Sequence, residues 1–453
     1  MADELTPEVA ATMSAEEFAK ASADLHPAQV VDLLRDRATE ETRDILLSLP
    51  QERAAEIFGH FSVDRQLSLS DEFSIQQLTA LVTQMSTDER VDFFQALPEE
   101  RQESLFRRLA QSEREDIIRL GSYEEGTAGA AMTSEYVTLP QHITALEAIA
   151  RLRREAPDKE TIYDSYVVDA DRKLLGVVTL KRLILARPSA LIDDIMNRNV
   201  ISVSSTDDQE EAARAIAKYD MIALPVLNPL GALVGIITHD DVLDILQEEH
   251  TEDVEKLMAI TSSAGGDYLS TSSWEHFKRR ATWIVTLAIL GLASGFILHS
   301  NEDMLSKFVI LALYMPMLAD TGGHIGGQAV AVIVRAIATQ QVQLKDGYRI
   351  LFKELKVAMM MAVVLGAMAY GKILLLSTPA EVPAGFSMYT IAGAITLALI
   401  CQVFTATFIG AGLPLLAVRL KLDPAVVAAP ALTTIVDIVG IFIYFKIATA
   451  LIL

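Results

Sequence analysis

The stretch AVVAAPALTTIVDIVGIFIYFKIATA, residues 425–450, decides the class of this protein. It is apolar almost throughout and longer than the roughly 20 residues a helix needs to cross ~30 Å of hydrocarbon. It also carries an aspartate, Asp437, deep inside. A charged carboxylate at mid-bilayer costs ~2.5–3.5 kcal/mol on insertion scales, so it is expected to face a polar cavity or a partner. The segment reads as a membrane span with a functional acid.

Working outward, four more apolar segments precede it, at about 281–299, 306–338, 356–377 and 386–417. Lys278, Arg279 and Arg280 stand before the first. Lys345, Arg349, Lys353 and Lys356 lie between the second and third, and Arg419 and Lys421 between the fourth and fifth. The loops near 300–305 and 378–385 carry no Lys or Arg. That alternation predicts five spans with the N-terminus in the cytoplasm and the C-terminus outside. Buried helices of a water-soluble protein would show neither these lengths nor this alternation. Arg335, Lys372 and Lys446 are expected to snorkel to the interfaces. The second segment holds MPMLADTGGHIGGQAVAVIV (315–334), with Asp320, His324 and four glycines, Gly322, Gly323, Gly326 and Gly327. Such a run permits close helix packing and exposes backbone carbonyls to an ion path; packing alone is the other reading.

The formal net charge is -22, although half the chain is hydrophobic. From Ala281 onward ten Lys and Arg stand against eight Asp and Glu, a net of +2 that leaves -24 for the first 280 residues. An acidic soluble half lacks the basic footprint of nucleic-acid binding. It suits divalent cations, because clustered carboxylates repel until a cation screens them. The lone Cys401 excludes an intramolecular disulfide framework and multi-cysteine zinc sites. The start, MADELTPEVA, is acidic and has no secretory apolar core, in keeping with a cytoplasmic N-terminus. No phosphate loop, nucleophile–base pair or zinc motif is present, so an enzyme is not expected.

Residues 135–250 repeat internally: YVVDADRKLLGVVTLKRLI (166–184) parallels LPVLNPLGALVGIITHDDVL (224–243), each after an amphipathic helix. These two β-α-β-β-α units resemble a pair of cystathionine-β-synthase (CBS) domains. The resemblance implies an adenine-nucleotide site, with ATP as candidate ligand, at Thr238 and Asp241. The first copy has Thr179 but Arg182 where the matching acid would stand. Residues 15–130 read as short helices in which LPQERAAEIF (49–58) recurs as LPEERQESLF (97–106), a small helical stack. Asp88 and Asp92 share one helix face there, and a solvated face is the ordinary meaning of such a pair. The acidic stretch THDDVLDILQEEHTEDVEKLMAI (238–260) leads into the first span and repels itself unless cations bind.

Taken together, the chain resembles the MgtE family of Mg²⁺ transporters along almost its whole length. The resemblance rests on domain order, on SYEEGTAGAAMT (122–133), on P-x5-GG-x2-G-x-Q from Pro316 to Gln328, and on DPAVVAAPALTTIVDIVG (423–440). It implies a multidomain fold: a helical N-domain (1–130), an α/β CBS pair (131–250), a connecting or "plug" helix (251–275) and an all-α five-helix transmembrane domain (276–453). It further implies a homodimeric inner-membrane Mg²⁺ channel with Asp437 as the pore acid. By position it assigns Mg²⁺ sites to Glu56, Asp88 and Asp92, to Asp208, Glu210 and Asp220, and to Asp241, Asp244, Glu249, Glu252 and Asp253. Mg²⁺ bound there would close the pore.

Three residues depart from the pattern. His324 replaces the usual asparagine, Asp320 a small neutral residue, and Ala429 a polar residue found in some members. As pore-lining candidates, His324 and Asp320 point toward softer ions such as Co²⁺, Ni²⁺ or Zn²⁺ and toward pH-dependent conduction. Two other classes stay open at this stage: a proton-coupled divalent-cation transporter, and a membrane-anchored nucleotide sensor.

Overall fold

The computed structural model describes residues 7–10, 12–261, 268, 271–378 and 382–452, with the backbone alone at 7, 8, 158 and 426–430. The chain divides between His250 and Thr251 into two compact units.

Unit one opens with short helices from Pro7–Ala10 to Gln111–Leu120, most of them packing on the helix two places further along the chain. The cause lies in the repeated phrases. Each Leu-Pro breaks the preceding helix and starts the next, Gln51–Gly59 and Glu99–Phe106, with Pro50 and Pro98 at the N-caps. Apolar residues on the inner faces meet in one core, where Phe58 packs edge-on against Phe93 at 5.2 Å. Arginines tie successive turns of the stack: Arg37 donates to the Ala10 carbonyl, Arg53 to Leu25, and Arg101 to Ser70 at 2.5 Å. These bonds reach back about thirty residues and satisfy carbonyls that helix ends leave open.

Two three-stranded sheets follow. The first joins Val137–Pro140, Asp164–Val168 and Leu174–Thr179, the second Val203–Ser204, Ala223–Leu227 and Leu233–Thr238. Both pair their first two strands parallel and their last two antiparallel, and both shift register at the same place, Val167/Val168 and Val226/Leu227. The repeat read in the sequence is therefore a repeat in space. Bridges from Thr133 to Ile236 and from Lys173 to Ala232 join the two copies.

The helix expected at 251–275 runs instead from His239 to Leu257 and continues directly from the last strand of the second copy. It stops where Ala259 takes a left-handed backbone (φ 60°), a usual way to end a helix. Residues 262–267, 269 and 270 of the expected segment lie outside the described ones.

Among the described residues of unit two are five long helices: Ser273–His299, Val309–Ala338, Gly347–Leu376, Met388–Arg419 and Pro424–Ile452. Met388–Arg419 is the central one and packs against Val309–Ala338, Gly347–Leu376 and Pro424–Ile452. Among the described residues, four stretches are long and apolar enough to span a membrane: Ser273–His299, Leu344–Leu376, Met388–Arg419 and Ala431–Ile452. Val309–Ala338 is 30 residues long, but its polar Asp320–Gln328 run interrupts the apolarity. Its glycines divide by face. A methyl on Gly322 would strike Gln402, and one on Gly326 would lie 3.1 Å from Leu432. A methyl on Gly323 would make ordinary contact with Thr433 at 3.9 Å, and one on Gly327 would meet open space. Packing explains the first pair only.

Candidate ion-binding sites

In unit one, the first turn of helix Thr87–Ala96 meets the CBS pair. Thr87 donates to Glu135 at 2.5 Å. Around this contact lie Asp88, Glu89, Asp92, Glu135, Glu160, Asp240 and Asp241, which act on one another electrostatically. Burial, and then the charge of Asp240, hold the Asp88 carboxyl above its ordinary range. One of its oxygens, Oδ1, is buried without a partner. Burial and Asp88 push Glu89 up to about 7. Asp92 also rises to about 7, through its protein surroundings and then Asp88, Glu248, Glu125 and Asp241, although its side chain still reaches water. Asp241 is pushed up to about 6 by burial and Asp88, against the opposing bonds from Thr238. Carboxyls crowded in this way favour either protons or a cation.

Asp88, Asp92 and Asp241, all expected from the sequence, come together here. Glu89 is not among the expected residues; its carboxylate lies over Gly59 so closely that a methyl there would come within 2.5 Å of it. Gly59, placed at a helix end, was the available signal. Glu56 is engaged elsewhere, in an ion pair with Arg53 at 3.1 Å.

A second group joins the second CBS copy to helix His239–Leu257. Asp208 caps helix Gln209–Tyr219, accepting from the Glu210 amide at 2.8 Å, and Gln209 donates to Glu249 at 2.8 Å. Burial, followed by the charges of Glu249 and Asp208, raises Glu210 even though Arg214 pairs with it. Asp220 sits at the other end of the same 11-residue helix, about 16 Å away by helix rise. Asp208 and Glu210 thus lie at one end of that helix and Asp220 at the other. Asp244 acts on Glu248, while Asp253 is exposed. Glu252 is held by Lys256 at 2.9 Å, and the same ammonium reaches Asp423 at 3.2 Å. The Thr238 hydroxyl lies 2.6 Å from both Asp240 and Asp241, so the expected nucleotide pair is internally bonded.

In unit two, Asp437 is half-buried and lines a small cavity with Gln402, Met315, Ala319 and Gly440. Gln402 is 1% exposed; its Nε2 donates to the Val436 carbonyl at 3.0 Å, while its Oε1 has no partner. A buried acceptor left open costs about 1–3 kcal/mol and calls for a reason. Gln402→Leu is expected to leave thermal stability equal or higher while ion transport falls on the order of tenfold. Uptake and melting measured on the same vesicle preparations check this. Asp320 and His324 pair at 3.3 Å, with both side chains mostly exposed on the protomer surface. Ala429 belongs to the stretch whose side chains lie outside the described ones.

Among the described residues, no three His, Cys, Asp or Glu side chains lie close enough to enclose a metal ion. Mg²⁺ gives up its waters reluctantly and is commonly held through several of them rather than by an all-protein cage.

The chain matches the family model for a divalent cation transporter over residues 315–447, that for the MgtE intracellular N domain over 25–126, and the CBS domain over 128–189 and 192–248. It is 37% identical over 437 residues to the magnesium transporter MgtE of Thermus thermophilus, covering 94% of this chain and 93% of that one. The MgtE of Bacillus subtilis is 35% identical over 75% of this chain and 73% of its own. A solved soluble part of a magnesium transporter superposes at a TM-score of 0.50 and 31% identity, covering 53% of this chain and 95% of that one.

Proposed function

This chain belongs to the MgtE family of magnesium transporters, and from that premise we propose that it is a Mg²⁺ channel closed by cytoplasmic Mg²⁺. Mg²⁺ is the transported ion, and the family consists of transporters rather than enzymes. The observation that carries the gating proposal is the acidic junction between the helical stack and the CBS pair, where Glu89 and Asp92 are raised to about 7. At neutral pH such groups share a deficit of positive charge. With little Mg²⁺ they push the two parts of unit one apart; with more Mg²⁺, hydrated ions draw them together.

In this reading the protein lies in the inner membrane as a homodimer of five-span subunits, N-terminus inside and C-terminus outside. Two Asp437 carboxylates then face one hydrated ion. The size of the path and the backbone carbonyls along it set selectivity. ATP at Thr238 and Asp241 would have to displace the bonds those side chains already make to each other.

Inside-out patches with cytoplasmic Mg²⁺ stepped from none to several millimolar test the proposal. Current that falls as Mg²⁺ rises supports it, and current indifferent to Mg²⁺ removes the sensor. His324→Asn is expected to reduce any Co²⁺ or Ni²⁺ current relative to Mg²⁺ by about tenfold, because imidazole favours those ions. An unchanged ion ranking in that variant would mean that the Asp320–His324 pair does not choose the ion.

A further inference from the structure

Against the strongly acidic first 280 residues, one groove of unit one is cationic. It has a volume of about 510 Å³ and is lined by Arg154, Lys159, Arg172, Glu155, Ser134 and Tyr136. It continues along Thr87, Arg90 and Arg119 of the helical stack. The acids along it are engaged. Glu155 pairs with Arg151 at 2.9 Å, Asp116 with Arg119 at 2.5 Å, and Glu135 accepts from Thr87. Among the described residues, the Arg154 and Lys159 side chains have no hydrogen-bond or ion-pair partner, and the charge of Lys159 acts on Glu135.

Arg172 is held in place. It stands at a hairpin turn with a left-handed backbone (φ 61°), a conformation that non-glycine residues adopt at a cost. Its carbonyl accepts from the Leu233 amide at 2.9 Å. Its guanidinium donates to the Tyr136 hydroxyl at 2.5 Å, and that hydroxyl donates onward to the Leu233 carbonyl at 3.1 Å. One of five guanidinium donors is thus used to fix the group, and the others remain for a ligand.

We propose that this groove binds a small phosphate-bearing anion. Three converging cations match a multiply charged group, and guanidinium forks match phosphate oxygens. The volume lies within the ~300–1,000 Å³ of small-molecule sites. A long polyanion is disfavoured, because the acidic domain around the groove repels it. The groove is separate from the Thr238–Asp241 pair, and the inference does not depend on the Mg²⁺ gating proposal. The groove adjoins residues of the helical stack, so a bound anion lies beside the contact between the stack and the first CBS copy.

The test is isothermal titration of the full-length protein in detergent with inorganic pyrophosphate, in EDTA so that no metal carries the anion. Saturable binding at one site per chain is expected. Arg154→Gln with Lys159→Gln should weaken it at least about tenfold, since both charge-assisted contacts are lost. Asp241→Asn should leave it unchanged. Absence of saturable binding overturns the proposal. So does binding that survives the double substitution, or binding that responds to Asp241→Asn instead, which would place the anion in the CBS cleft. Arg154 is an exposed side chain and Lys159 a partly exposed one, so the double variant should fold, and its melting curve in EDTA confirms that.

Discussion

Vesicles carrying Asp437→Ala are expected to take up Mg²⁺ no faster than vesicles without protein. Asp437 is the one acid in the last long helix, it borders the cavity that also holds the open oxygen of Gln402, and no cation lies within its stretch until Lys446. An intramembrane carboxylate without a counter-charge persists where an ion or water supplies one. Alanine removes that attraction and leaves the surrounding helices untouched, so assembly should be normal by gel filtration. Asp437→Glu should retain part of the transport. If Asp437→Ala transports normally, the ion path runs elsewhere, and the exposed Asp320 is the next position to change.

The second large effect concerns pH. A carboxyl whose value rises on folding makes the folded state bind more protons than the unfolded one. Stability then falls as pH climbs from the unfolded value to the folded one, and is flat above it. For Glu89, at about 7 against an ordinary 4.5, and for Asp92 and Asp241, at about 7 and about 6 against 3.8, that window runs from about pH 4 to 7. Without Mg²⁺, protection against hydrogen exchange in helix Thr87–Ala96, corrected for the intrinsic exchange rate at each pH, should therefore be greater at pH 5.5 than at pH 8. Adding Mg²⁺ should restore protection at pH 8 and add little at pH 5.5, where protons already do the screening. A melting shift of several degrees corresponds to ~2 kcal/mol in a unit of this size, a reasonable total after screening by water at the open side of Asp92. Replacing Asp88, Glu89, Asp92 and Asp241 by their amides should abolish both dependences and leave current flowing at high cytoplasmic Mg²⁺. Closure retained in that variant would move the sensor to the Asp208–Glu210–Glu249 group.

The features legible in advance were those written in local pattern. Apolar length and the alternation of loop charge located the long helices, and the internal repeat located both sheets; their matching register shifts emerge only in the structure. Asp437 stood out because a carboxylate in an apolar run has no local explanation. Helix ends were harder: the helices enclosing the first and third apolar segments begin about eight residues earlier than apolarity alone indicates, because polar turns at Ser273 and Gly347 extend them. Glu89, Gln402 and Lys256 were not legible at all. A glutamate in a helix first turn is ordinary, and a glutamine among alanines and leucines announces nothing. Each acquires meaning only from a neighbour distant in sequence: Gly59, Val436 and Asp423. The ion pair of Glu56 with Arg53 and the place of Asp220 at the far end of helix Gln209–Tyr219 were likewise outside what the resemblance implies.

Lys256 has a consequence of its own. Its ammonium lies between Glu252, on the helix that descends from the CBS pair, and Asp423, in the segment leading into the Asp437 helix. Unlike a dissolved ion, this positive charge cannot be diluted, chelated or pumped away. Its local concentration is set by the covalent chain and stays the same in a starved cell and a replete one. Under the gating proposed above, dissolved ions would not act from zero but add to a positive charge that is always present beside Glu252 and Asp423.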